Sequence, residues 1–144
     1  MTTAAQILEG KGRAVWSVAP DAFVYEALKL MAEKNVGALV VLEGDELKGI
    51  FSERDYARKV ILAGKSSREI TVEEIMSPAV ITVRPHQSVE ECMALMTDKR
   101  IRHLPVVEGS RLVGVISIGD AVKAIISERE FTIEHLHSYI RGSG

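Results

Sequence analysis

The sequence predicts an α+β protein of two β-α-β-β-α repeats followed by a C-terminal amphipathic helix, and three observations predict it. Residues 14 to 60 recur at residues 79 to 125, at a constant offset of 65 and without a gap. Within each copy the apolar pattern changes in the same order, from a short β-branched run to helical spacing and then to two strand-like runs. Each copy also closes on the same pattern, Gly49-Ile50-Phe51-Ser52-Glu53-Arg54-Asp55 and Gly114-Val115-Ile116-Ser117-Ile118-Gly119-Asp120. A repeat of this kind defines the unit of structure.

The elements follow in order. Ala14-Val15-Trp16-Ser17-Val18 is short and β-branched, Pro20-Asp21 marks a turn, and apolar residues at 24, 27, 28 and 31 then form one face of a helix. The second copy repeats that face at 89, 92, 93 and 96, where Ser88-Val89-Glu90-Glu91 reads as a capping box. Ala38-Leu39-Val40-Val41-Leu42 and Leu47-Lys48-Gly49-Ile50-Phe51 flank Glu43-Gly44-Asp45-Glu46, the pattern of a hairpin with a short glycine-containing turn. A second helix starts near Ser52 and carries Tyr56, Ala57, Val60 and Ile61. Three strands and two helices in about 50 residues cannot bury their apolar faces well alone. The copies are therefore expected to pack on each other around a pseudo-twofold axis.

The expected organisation is repeat 1 over 7–62, a linker over 63–71, repeat 2 over 72–126, and a helix and tail over 127–144. Gly64-Lys65-Ser66-Ser67-Arg68 should be exposed; its Gly-Lys-Ser string is no phosphate-binding loop, because the glycine required five residues earlier is Lys59. Val72-Glu73-Glu74-Ile75-Met76 leads into the second copy, and Ala4-Ala5-Gln6-Ile7-Leu8 looks like its counterpart with three extra residues following. Near the C-terminus, Ile133, Leu136 and Ile140 mark an apolar helical face, while His135 and His137, two apart, turn to different faces and suit a solvated edge better than a chelate.

Composition excludes several classes of function. At 144 residues the chain fits one domain that buries roughly 68–70% of its unfolded surface, so a core forms without staples. Its single cysteine, Cys92, pairs in the repeat with Ala27 and suits a small buried position in a reducing compartment. No leader and no run of about 18 apolar residues is present, so a soluble, cytoplasmic protein is expected. With Lys plus Arg at 18 against Asp plus Glu at 20, the basic excess that nucleic acid binding uses is missing.

Ser52 and Asp55, with Ser117 and Asp120, carry the chemistry. A serine followed three residues later by an acid at a strand-to-helix junction is close to a capping box, worth about 1 kcal/mol to the helix start. The same junction can bind a ligand: helix N–H groups and the serine hydroxyl suit a phosphate, and an Asp one turn in can hold two ribose hydroxyls. Capping does not require Gly49 or Gly114, which could let a ligand approach the backbone.

Gly-h-h-Ser-x-x-Asp after a β-α-β-β pattern, twice, with Arg102-His103-Leu104-Pro105-Val106-Val107 and Ile75-Met76-Ser77-Pro78, resembles the tandem cystathionine-β-synthase-type (CBS) domain pair, or Bateman module. The likeness runs from about Ile7 to Ile126. It implies a regulatory module that binds an adenosine-containing ligand (AMP, ADP, ATP, NAD(H) or S-adenosylmethionine) in clefts between the copies. Asp55 and Asp120 would hold ribose and Ser52 and Ser117 phosphate. The base pockets would be lined near Ser17, Ala19, Val40 and Val41, and near Thr82, Arg84, Pro105 and Val106. The sites should be unequal: Arg54 and Arg58 suit phosphate in the first, whereas the second has Gly119 and Lys123 and could borrow Arg100, Arg102 or His103 from across the interface.

The resulting expectation is a nucleotide sensor whose occupancy rearranges the copies and is read by a partner. No metal cluster, activated nucleophile or Rossmann fingerprint points to an enzyme. A ligand-free structural homodimer, in which Ser-x-x-Asp only caps helices, is the alternative, with a small nucleotide-using enzyme behind it. Homodimerisation is expected under any of these readings.

Overall fold

The structure is a computed structural model that describes residues 2–78 and 80–143, with side chains as far as residue 130. Along the chain run α1 (Ala4–Lys11), β1 (Ser17–Val18), α2 (Val24–Lys34), β2 (Ala38–Glu43), β3 (Glu46–Ser52), α3 (Glu53–Tyr56), a π-helical turn (Ala57–Ile61), α4 (Val72–Ile75), α5 (Val89–Lys99), β4 (His103–Glu108), β5 (Arg111–Ser117) and α6 (Ile118–Ser143). The α+β class and the β-α-β-β-α order of the first copy are as the periodicity requires. What was expected as a closing helix and a separate C-terminal helix is one helix, α6. The apolar face at Ile133, Leu136 and Ile140 and the disposition of His135 and His137 lie outside the described side chains.

Two compact units form. One comprises Ala14–Ile81 with Gly109–Leu112; the other comprises Met1–Arg13, Thr82–Glu108 and Val113–Gly144. Each buries the repeat's matched apolar positions: Val24, Ala27, Met31, Leu39, Val41 and Phe51 in the first, and Val89, Cys92, Met96, Leu104, Val106 and Ile116 in the second. Each core is completed by a short helical lead-in. In the first unit Ile70, Val72 and Ile75 join the cluster. Ala4, Ile7 and Leu8 are buried in the second.

Backbone hydrogen bonds dock these lead-ins identically. Val72 and Glu73 donate to the carbonyls of Ala22 and Pro20, and Val24 donates to Ile70, at 2.8, 2.9 and 2.9 Å. In the other unit Ala4 and Ala5 donate to Gln87 and Pro85, and Val89 donates to Thr2, at 2.8, 2.9 and 2.8 Å. Residues 4–8 thus correspond to 72–76, and each segment packs on the repeat body of its own unit. Both start with side-chain caps. Thr3 and Gln6 form a reciprocal box, and the Glu74 carboxylate accepts from both the N–H and the hydroxyl of Thr71.

The second copy departs from the first at its opening strand. Ser17 and Val18 pair in parallel with Val40 and Val41, but the equivalent segment makes only a bridge between Val83 and Val106. The reason is Pro105, which stands where the first copy has Val40 and has no N–H to donate to a neighbouring strand. The expected opening strand of repeat 2 is reduced accordingly.

Two further expectations are corrected. Ser88 caps α5 by accepting from Glu91 N–H at 3.2 Å, but the Glu91 carboxylate turns to Gln87 Nε2 at 3.1 Å, so the box there is half formed. Ile61 is 56% exposed rather than packed with Val60, since the wider π turn shifts the side-chain phase. The hairpin β2–β3 turns on Gly44-Asp45, where Gly44 has φ 65°, as Gly109 has φ 66° in the second copy. A glycine there removes the steric cost of the left-handed region. The linker residues Gly64, Lys65, Ser66 and Arg68 are exposed, with Ser67 partly covered.

Candidate functional site

In the first unit Ser52 ends β3 in an extended conformation and starts α3, which puts Asp55 one turn in. Asp55 N–H donates to Ser52 Oγ at 3.2 Å, while Ser52 N–H and hydroxyl both donate to Asp55 Oδ2 at 3.0 Å. The capping box is therefore complete. The other carboxylate oxygen, Oδ1, receives the Ser77 hydroxyl at 3.4 Å and stands 3.3 Å from Lys59 Nζ. Lys59 is one helical turn beyond Asp55 and also donates to the Ile75 carbonyl at 3.0 Å. Arg54 and Arg58 are exposed on the same turns.

The remaining first-site candidates divide. Ser17 pairs with Val40, which lies two residues along β2 from Ala38, the partner of Ser52, so these residues share one stretch of sheet. Val41 is fully buried in the core and offers no side-chain surface to a ligand; the period-two alternation of a strand turns it away from Val40's side. Ala19 is exposed and lines a hollow of about 350 Å³ with Asp21, Glu43 and Glu73, an acidic setting that does not suit a phosphate.

The second unit repeats the junction. Asp120 N–H donates to Ser117 Oγ at 3.1 Å, and Ser117 N–H donates to Asp120 Oδ2 at 2.8 Å. Asp120 Oδ2 also accepts from Lys11 Nζ at 2.6 Å, and the same ammonium donates to the Val115 carbonyl at 3.0 Å. Burial alone would raise the Asp120 carboxyl, but the Lys11 ammonium and the Ser117 N–H and hydroxyl hold it below its ordinary value. The Lys11 ammonium and the Ser117 N–H both fall on Oδ2, and the side chain is 22% exposed.

Arg102 and His103 belong to this same unit, rather than reaching Asp120 from across an interface. The Arg102 carbonyl accepts Ile118 N–H at 2.8 Å, which ties the start of β4 to the start of α6. Partial screening from water, then the Lys11 charge, holds the His103 imidazole below its ordinary value. Arg100 is the left-handed cap of α5. Thr82 is partly covered and Arg84 exposed beside the Val83 bridge, and Pro105 is buried. Like Val41, Val106 is fully buried and presents no side chain to a ligand. Lys123 lines a groove of about 480 Å³ with Lys11 and Asp120.

The two glycines have a different role from the one expected. A Cβ on Gly49 would lie 2.7 Å from Met76 Sδ and 2.8 Å from the Ser77 carbonyl oxygen. On Gly114 it would lie 2.7 Å from Leu8 Cδ2. Leu8 and Met76 are equivalent residues of the two lead-ins, so both glycines make room for packing rather than for a ligand. Burial of Cys92 and the nearby Glu91 charge push its thiol above the ordinary value, as befits a core residue.

Sequence reasoning missed Lys11, Lys59 and Ser77 as partners of the two acids. Lys59 was legible as an Asp-to-Lys pair four residues apart on a helix. Ser77 and Lys11 were not, because each reaches its acid across the fold, over 22 and 109 residues.

Comparison with known proteins bears on the family and the fold. The family described as "CBS domain" matches residues 12–61 and 72–127. The chain is 42% identical to the Arabidopsis thaliana CBS domain-containing protein CBSX3, mitochondrial, over 98% of this chain and 73% of that protein. Among solved structures, a CBS-domain protein of Burkholderia ambifaria ascribed to signal transduction is 56% identical, with TM-score 0.80 over 88% of this chain and 95% of the other. The CBS domain pair of protein MJ0100, solved with 5′-methylthioadenosine and S-adenosyl-L-methionine, is 25% identical, with TM-score 0.75 over 89% and 98% of the two chains. No helix among the described residues is long and apolar enough to cross a membrane.

Proposed function

Since this chain belongs to the CBS-domain family, with one matched region in each repeat, we propose that it is a regulatory module that binds an adenosine nucleotide at Asp55 and Asp120 and reports occupancy to a separate protein. The observation that carries this reading is the pair of equivalent carboxylates at strand-to-helix junctions. Asp120 in particular takes the Ser117 N–H and the Lys11 ammonium on one oxygen, Oδ2, and its side chain is 22% exposed. A vicinal diol is a natural donor to such a carboxylate. The ligand is AMP, ADP, ATP, NAD(H) or S-adenosylmethionine, and the adenosine compounds bound by the MJ0100 pair support that class.

In this reading Ser52 and Ser117 serve phosphate together with exposed Arg54, Arg58 and Lys123, and Ser17, Val40, Thr82, Arg84 and Pro105 flank the base. The protein acts without catalysing a reaction, as a homodimer in the cytoplasm. Ile118, Val122 and Ile126, spaced four apart and 38, 41 and 51% exposed on α6, support a self-association face. A second reading, a structural module whose Ser-x-x-Asp pairs only cap helices, is favoured by one observation: the serine and the acid cap each other reciprocally at both junctions.

Calorimetric titration with AMP, ATP, NADH and S-adenosylmethionine separates the two. Binding below millimolar that weakens in Asp55→Ala and in Asp120→Ala supports the nucleotide module. Absence of binding, or binding that both substitutions leave intact, leaves only the structural reading.

A further inference from the structure

The two acids are held by different devices. In the first unit the Ile50 carbonyl accepts Ser77 N–H at 2.9 Å and Asp55 accepts the Ser77 hydroxyl at 3.4 Å. In the second unit the equivalent carbonyl, Val115, and the equivalent acid, Asp120, both accept from Lys11 Nζ, at 3.0 and 2.6 Å. One ammonium therefore replaces a backbone N–H and a serine hydroxyl. The cause is local sequence: α4 stops at Ile75, ahead of Ser77-Pro78, whereas α1 continues through Glu9-Gly10 to Lys11 before Gly12 ends it.

Resting on the nucleotide reading above, we propose that Lys11 is the specificity-determining residue of the Asp120 site, an internal cation that competes with the ligand's diol for the carboxylate. A diol that binds both oxygens of Asp120 must displace the ammonium from Oδ2. The released side chain has somewhere to go, since Lys11 borders the 480 Å³ groove along α6 that Lys123 also lines. At Asp55 the cation is instead Lys59, 3.3 Å from Oδ1, which shares that oxygen with the Ser77 hydroxyl at 3.4 Å. The inequality of the sites thus comes from the length of α1 as well as from Arg54 and Gly119. The Asp120 site thus accepts ligands able to displace Lys11.

The test uses adenosine, an uncharged nucleoside, so that loss of a phosphate contact cannot mimic the effect. Asp55→Ala isolates the second site. Adding Lys11→Met, which keeps the side chain's length, should tighten adenosine binding about three- to tenfold, the range expected for a charge-assisted contact that is partly exposed. Lys11→Arg keeps the cation and should leave the affinity near its starting value. If Lys11→Met leaves binding unchanged or weakens it while Asp120→Ala abolishes it, the gate is wrong and the nucleotide site stands. If no combination binds adenosine or AMP, the nucleotide reading falls and takes the gate with it.

Discussion

Leu8 occupies the space that a side chain at Gly114 would need, with Cδ2 2.7 Å from the position of a Cβ there. The equivalent pair in the other unit is Met76 and Gly49, but there the Ser77 carbonyl oxygen also stands 2.8 Å from the would-be Cβ. A leucine methyl can swing away, whereas a carbonyl held in a β-bridge to Ile50 cannot.

Gly49→Ala is therefore expected to destabilise its unit by about 2–3 kcal/mol, and Gly114→Ala by about 1 kcal/mol, within the range for overpacking a filled core. Urea denaturation of the two variants checks the order. Equal losses would mean that the carbonyl yields as easily as the side chain.

Arg100 has φ 55° and ψ 45° at the end of α5, and Asn35 has φ 54° and ψ 49° at the equivalent end of α2. Asparagine enters the left-handed region at lower cost than arginine, while glycine is the usual residue at such a cap. Arg100→Gly should stabilise the protein by about 0.5–1 kcal/mol, visible as a rise in Tm, and Asn35→Gly should have a smaller effect. A fall in Tm for Arg100→Gly would show that its side chain contributes more than its backbone costs.

Asp120 titrates below its ordinary value in the folded chain, with burial opposed by Lys11 and Ser117. Its contribution to stability is fully present above the unfolded carboxyl value of about 4 and is lost as pH falls toward the folded one. Wild-type protein should consequently lose its advantage over Asp120→Asn on acidification through and below that range. Parallel stability curves for the two proteins between pH 6 and pH 3, compared by thermal melting, would contradict the Lys11–Asp120 pair as a stabilising contact; these limits are about two units above and one below the ordinary carboxyl value.

Much of this architecture was legible before any coordinates. The offset of 65 paired Val24 with Val89 and Met31 with Met96, and all four are buried. The caps at Thr3-x-x-Gln6 and Thr71-x-x-Glu74 went unread, although a threonine three residues before Glu or Gln carries the signal. The candidate site was half legible. Ser52, Asp55, Ser117 and Asp120 lie where the motif put them, but Val41 and Val106 face the core, because motif adjacency does not say which side of a strand a residue faces.

Sequence by itself determined the repeat, the order of elements and the cap at each Ser-x-x-Asp, because those rest on contacts between residues a few positions apart or on identical apolar spacing. Tertiary structure alone decided what surrounds the two acids. Whether Asp55 meets a serine and Asp120 a lysine depends on how far each lead-in helix runs before it breaks and on which carbonyl lies opposite its end. Those contacts join residues distant in sequence, and no local pattern encodes them.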